Sequence, residues 1–185
     1  MQPKSLPFAA GFIFISLRTL IMISLLAGNG YGQSSILYVK ADATGTSDGT
    51  SWENAFTDLQ SALGQVELGM EIYVAAGTYK PSDLYNPSDS DPTDSRMATF
   101  RLDDEVHLYG GFNGTETSKG QRDISGHETI LSGDIGVVGD NTDNCYRVVV
   151  GTDNGILDGF TIMGGNGNGD SPYFDNGGGI QNNGV

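Results

Sequence analysis

Residues 71–79 read EIYVAAGTY, and residues 156–163 read ILDGFTIM. In the first stretch Ile72 and Val74 fall on one side of an extended chain and Tyr73 on the other, by the two-residue period of a strand. Similar short runs recur along the chain: SILYVK (35–40), TFRL (99–102), VHLYGGF (106–112), TILSGD (129–134), YRVVVG (146–151) and GGIQN (178–182). Each is bounded by Gly, Asn or Asp, and no clean two-residue Asn-Gly hairpin joins one run to the next. An antiparallel sandwich also has regular short strands. Two features favour stacked parallel coils instead. Nineteen of the last 76 residues are Gly, which suits repeated tight corners. The helical pattern also lies ahead of nearly all the β runs, where a stack of coils needs its open end covered.

That pattern is Phe56, Leu59, Leu63 and Val66, spaced by three and four. Thr50 and Glu53 have capping-box spacing, and Gly69 is placed to end a helix. The reading is one amphipathic helix over residues 54–69. The fold expected is therefore mainly β: a right-handed parallel β-helix, or solenoid, with an N-terminal amphipathic cap helix. Residues 34–69 form the first strand and the cap, and residues 70–185 the first coils.

The first 33 residues differ from the rest. Lys4 is followed by an apolar run from Phe8 to Leu17, then Arg18, a second apolar run from Leu20 to Ala27, and the small residues Gly28, Gly30 and Gly32. No Asp or Glu precedes Asp42. This order reads as a secretory signal peptide cut after Gly32. The second run is short for a bilayer span, so no membrane insertion is expected once the leader is cut. The formal net charge of −14 argues against nucleic acid, whose recognition needs a basic face. Cys145 is the sole cysteine, so neither an internal disulfide nor a cysteine-based zinc site can form.

The string YVKADATGTSDGTSWENAFTDLQSAL (38–63) resembles the start of secreted right-handed parallel β-helix proteins of Gram-negative bacteria, the pectin-lyase-like superfamily. So do IYVAAGTYKP (72–81), TFRLDDEVHLYGGFNGTE (99–116), TILSGDI (129–135), ILDGFTIMGG (156–165) and GGGIQN (177–182). Some of these proteins carry polymorphic outer-membrane-type repeats. The resemblance implies a cap helix over 54–69, with Trp52 locking the start of the helix onto the cap. Leu157, Phe160 and Ile162 would serve a later rung. It also implies secretion or display on the outer cell surface, and further coils beyond the last residues here.

Candidate chemistry is sparse. Asp89, Asp91 and Asp94, in YNPSDSDPTDS, put hard oxygen ligands at closely spaced positions and are the candidate Ca²⁺ site. The plainer reading of that stretch is a solvated acidic insertion stiffened by Pro87 and Pro92. Tyr73, Tyr79 and Tyr109 are candidate sugar-stacking rings, with burial under a neighbouring segment as the competing reading. Asn141-Thr142-Asp143-Asn144 resembles the Asn-Thr-Asp segment of polygalacturonase-type glycosidases. The further acids, the Gly-His-Gly and the Arg-Ile-Lys of those enzymes are missing, and His127 stands in a different context. For a lyase, Arg101, Arg122 and Arg147 are the possible bases and Asp134, Asp140 and Asp143 the possible Ca²⁺ ligands. No spacing singles any of them out. The expected function is an exported, non-catalytic scaffold that is adhesive or binds polysaccharide or cell-surface glycans. The alternative is a polysaccharide lyase or glycoside hydrolase whose site lies in other coils.

Overall fold

The computed structural model describes residues 36–88, 92–170, 174–175 and 177–182. Residues 1–33, which hold the expected leader, lie outside them, as do Asp89 and Asp91. The described chain is mainly β, with parallel sheets and little helix. Strands β1 (Ile36–Val39), β2 (Glu71–Ala75), β5 (His107–Phe112) and β8 (Ile156–Asp158) make the first sheet, in that order. Strands β3 (Gly77–Tyr79), β6 (Thr129–Ser132) and β9 (Phe160–Met163) make the second. Strands β4 (Phe100–Arg101), β7 (Val149–Gly151) and β10 (Ile180–Asn182) make the third. Every pairing between these strands is parallel. From β2 onward the chain visits the first, second and third sheets in turn, three times over.

Register follows the apolar pattern, because a slip of one residue would turn each inward side chain outward. Leu37, Ile72, Leu108 and Leu157 pair in one row across the first sheet. Tyr79, Leu131 and Ile162 form the matching row of the second sheet, and Phe100 and Val149 pair in the third. All of these side chains belong to one core with Val39, Leu59 and Val74. The alternate residues Tyr38, Tyr73 and Tyr109 form a second row on the opposite face of the first sheet.

Two of the sequence runs divide at corners. EIYVAAGTY breaks into β2 and β3, and ILDGFTIM breaks at Gly159, whose φ is +83°. Gly159 sits against Gly110 of the neighbouring strand. A Cβ on Gly110 would come within 2.5 Å of the Gly159 carbonyl oxygen. Backbone packed this closely admits only glycine at that corner. Beside it β5 carries an irregularity, so that Tyr73 pairs Tyr109 but Ala75 pairs Phe112. The Gly111 amide, at this irregularity, donates to the buried Thr129 hydroxyl at 2.9 Å.

The helix is shorter than its apolar spacing predicts. It is α1 (Leu59–Leu63), capped by Asp58, whose carboxylate accepts from the Ser61 amide at 2.7 Å, and it stops at Gly64. Phe56 is drawn out of the helix by the sheet: it bridges Val39 in parallel, and its amide donates to the Tyr38 carbonyl. Thr50 caps nothing and bonds to Asp48 instead. Gly69 does adopt a left-handed φ of +78°, but in a separate turn. Phe56 and Leu59 are nonetheless buried, and Leu63 and Val66 pack on the same core. The far strands β8, β9 and β10 lie at the other end of each sheet and leave Ile156, Met163 and Ile180 substantially exposed.

Candidate functional site

The face of the first sheet turned away from the main core carries a buried aromatic row. Tyr73 lies edge-on to Tyr38 and Tyr109, at centroid distances of 5.9 and 6.1 Å, and stacks on Phe112 at 4.6 Å. Trp52 closes over this row, 4.7 Å from Tyr38 and 5.4 Å from Phe112, with its indole N–H donating to the Glu116 carbonyl. The Glu116 carboxylate accepts from the amides of Asn113, Gly114 and Thr115, which folds the turn above the row. Lys119 completes the cover: its ammonium lies 3.9 Å from the Tyr109 ring centre and 2.6 Å from Glu71. Burial pushes the Glu71 carboxyl up, but the bonds from Lys119 and the Tyr73 hydroxyl outweigh it, and the net shift is downward.

A ring that stacks on a sugar must offer a face to solvent. Tyr73, Tyr79 and Tyr109 are only 5, 4 and 8 % exposed, so none of the expected sugar-stacking trio offers such a face in this structure. The reason is long-range. Phe112 stacks on Tyr73, Lys119 and Arg122 lie over Tyr109, and Tyr79 points into the main core with its hydroxyl donating to the Ala75 carbonyl. Burial raises the Tyr79 phenol to about 12. Tyr73 and Tyr109 do face away from Ile72, as the strand period predicts, yet they are largely covered.

Asp94 is likewise committed. One of its carboxylate oxygens accepts from the Arg96 amide at 2.9 Å and the other from the Tyr146 hydroxyl at 2.8 Å. Among the described residues no group of three or more His, Cys, Asp or Glu converges as metal ligands. The residues around Asp94 instead tie consecutive corners together. Arg96 donates to the Asn144 carbonyl at 2.7 Å and the Asn166 carbonyl at 3.0 Å, and lies over the Tyr146 ring. Arg147, only 1 % exposed, bonds to Gln181 and lies 4.8 Å from the Phe174 ring centre.

The possible catalytic sets are not assembled. His127 precedes β6, and Asp143 lies in the loop beyond it, accepting from the Val137 amide at 2.7 Å. No hydrogen bond or ion pair among the described residues joins them. Arg101 pairs with Asp103 at 2.9 Å and Arg122 with Asp158 at 2.8 Å. Asp140 caps its own turn through Thr142, which lowers its carboxyl. Asp134 accepts from the Gly139 amide and lies 3.8 Å from Lys80. Cys145 is buried, and burial pushes its thiol up to about 12, far from a reactive thiolate.

A cavity of about 380 Å³ lies between α1 and β4, lined in part by Gln60, Leu63, Asp83, Tyr85, Arg101 and Asp103. The sequence reading did not single it out. Gln60 and Arg101 are far apart in the chain, and no motif links them. No helix among the described residues is long and apolar enough to cross a membrane. No protein-family model, no curated protein and no solved structure matches this chain.

Proposed function

We propose that the three sheets are the faces of a right-handed parallel β-helix, that the chain is exported, and that it serves as a binding scaffold in the medium or on the outer surface of a Gram-negative cell. The observation that carries this reading is the cyclic order in which the strands visit three parallel sheets. A chain that returns to the same sheet in parallel after each circuit is winding, and parallel crossovers are right-handed in nearly all proteins. The inward rows then form a continuous core, and the polar corners form the wall. The resemblance of residues 38–63 and of the later runs to secreted β-helix proteins points the same way. Export rests on the pattern of residues 1–33. Glycans are the ligand class for the scaffold, in line with that resemblance.

The scaffold reading accounts for how the acidic side chains are used. Asp58, Asp94, Glu116, Asp140 and Asp143 each accept from backbone amides at a cap or corner. Glu71 and Asp158 are held by cations. The test exposes the full chain to a panel of uronate and neutral glycans, following retention and product together. Retention without new reducing or unsaturated ends is the expected result. Rapid release of such ends would replace the scaffold with a polysaccharide lyase or hydrolase, and retention on no glycan would overturn the ligand class. Amino-terminal sequencing of exported material should begin at Gln33.

A further inference from the structure

Four Asn-Gly pairs lie among the described residues: Asn113-Gly114, Asn154-Gly155, Asn166-Gly167 and Asn168-Gly169. An asparagine side chain can be attacked by the backbone nitrogen that follows it, and glycine has no side chain to obstruct that closure. The attack needs the side-chain amide and the following N–H to turn toward each other. A fold that pins either group suppresses it, so the structure ranks the four pairs.

Three of them are pinned. The Gly114 N–H donates to the Glu116 carboxylate at 3.0 Å, and Asn113 Oδ1 accepts from the Thr115 hydroxyl at 2.6 Å. The Asn166 side chain donates to the Asn141 carbonyl at 2.7 Å, its amide donates to the Cys145 carbonyl at 2.8 Å, and its carbonyl accepts from Arg96 at 3.0 Å. Asn168 Oδ1 accepts from Arg96, and the Gly169 N–H donates to the Phe174 carbonyl at 2.9 Å. Asn154-Gly155 differs. Residues 153–156 are all exposed, and Asn154 takes a left-handed φ of +59° in the turn between β7 and β8. Its side chain donates to Asp104, itself exposed, at 3.2 Å. The Gly155 N–H donates to no acceptor among the described residues, and a Cβ on Gly155 would meet nothing closer than 3.7 Å.

We propose that Asn154 is a site of spontaneous self-modification, deamidating through a succinimide, and that the product loosens β8 from β5. Hydroxide takes the Gly155 N–H proton, and the nitrogen attacks Asn154 Cγ. The new C–N bond forms as the Cγ–Nδ2 bond breaks, and ammonia leaves with a proton from water. Water then opens the succinimide at either carbonyl, giving aspartate or isoaspartate at position 154. Both products put a carboxylate where Asp104 now accepts a hydrogen bond, so like charges face each other. Isoaspartate also routes the backbone through Cβ and adds one carbon to the turn. Both ends of that turn are tied down: the Thr152 hydroxyl donates to the Leu102 carbonyl at 3.2 Å and the Ile156 amide to the Val106 carbonyl at 3.0 Å. Lengthening the turn strains the second of these bonds, at the first residue of β8, where β8 begins to pair with β5. The site is a one-way clock on that pairing. The assignment is independent of export and of glycan binding.

The test incubates the full 185-residue chain at mildly alkaline pH, folded and in urea, and follows the amide-to-acid mass gain at each pair by peptide mass spectrometry. In the folded chain Asn154 should convert at least about tenfold faster than Asn113, Asn166 or Asn168, a difference of about 1.4 kcal/mol in barrier. In urea the gap should largely close, because the pins on the other three are gone. The rate should rise with pH, since the Gly155 nitrogen must lose its proton. Asn154→Gln, which would have to close a larger ring, should leave position 154 unconverted. In the isoaspartate fraction, separated by anion exchange, the Ile156 amide should exchange with solvent severalfold faster than in the unmodified chain. Conversion led by another of the four pairs, or equal rates in the folded chain, overturns the proposal. A gap that persists in urea also overturns it, by tracing the ranking to flanking sequence. Equal exchange at Ile156 in the two fractions overturns the loosening of β8.

Discussion

Leu108→Ala tests the stacking of the inward row. Leu108 is fully buried, and pairs with Ile72 on one side and Leu157 on the other. Truncation removes three carbons' worth of apolar surface, worth about 2 kcal/mol at roughly 0.8 kcal/mol per methylene. The space left between two paired neighbours cannot fully close, and the cavity raises the cost to about 3–4 kcal/mol. With a urea m-value of about 2 kcal/mol/M, the midpoint should fall by roughly 1.5–2 M. Trp52, the chain's only tryptophan, reports unfolding from the far face of the same sheet. The change should appear in the midpoint and not in the slope. Combining it with Ile72→Val should give a coupling of at least about 0.5 kcal/mol, because the two side chains share one contact. A loss below about 1 kcal/mol, or strict additivity with Ile72→Val, would refute the stacked row.

Three further outcomes follow from the geometry. Gly110→Ala forces a methyl against the Gly159 carbonyl at 2.5 Å and should cost about 1–3 kcal/mol by urea unfolding, whereas Gly120→Ala, with open space around it, should cost far less. Glu71 has its carboxyl lowered in the folded chain, so its contribution is full above the ordinary carboxylate pKa and is lost as pH falls through the lowered value. Glu71→Gln should therefore flatten the acid limb of a stability–pH curve, and an unchanged limb would remove Glu71 from that role. Tyr79 runs the other way: its phenol rises from 10.0 to about 12 on burial, so stability is full below pH 10 and is lost as pH climbs through about 12. Tyr79→Phe should cost about 1 kcal/mol near neutrality, through the lost bond to Ala75, and reduce the alkaline loss.

The legible part of this molecule was local. The two-residue period of EIYVAAGTY placed Ile72 and Val74 opposite Tyr73, and the structure puts them in two separate clusters. The Gly- and Asn-bounded runs mark most of the strands to within a few residues. What pattern alone missed depends on distant partners. Phe56 has helical spacing, but its pairing with Val39 takes it into the sheet and leaves the helix only five residues long. Tyr73 has the position of an outward residue, but Tyr38, Tyr109 and Phe112, each distant from it in the chain, pack around its ring. The cavity at Arg101 is lined from three separate stretches of chain, and none of them signals it alone.

Disulfide closure between engineered cysteines tests the parallel winding most directly. Ile130 and Thr161 are paired across β6 and β9, at a spacing of roughly 4.8 Å that a disulfide can bridge. The Ile130→Cys/Thr161→Cys chain should close to an intramolecular disulfide under mild oxidation, with Cys145 buried and left reduced. Closure of Leu157→Cys/Thr161→Cys instead, the pair that an antiparallel hairpin about Gly159 would bring together, would contradict it.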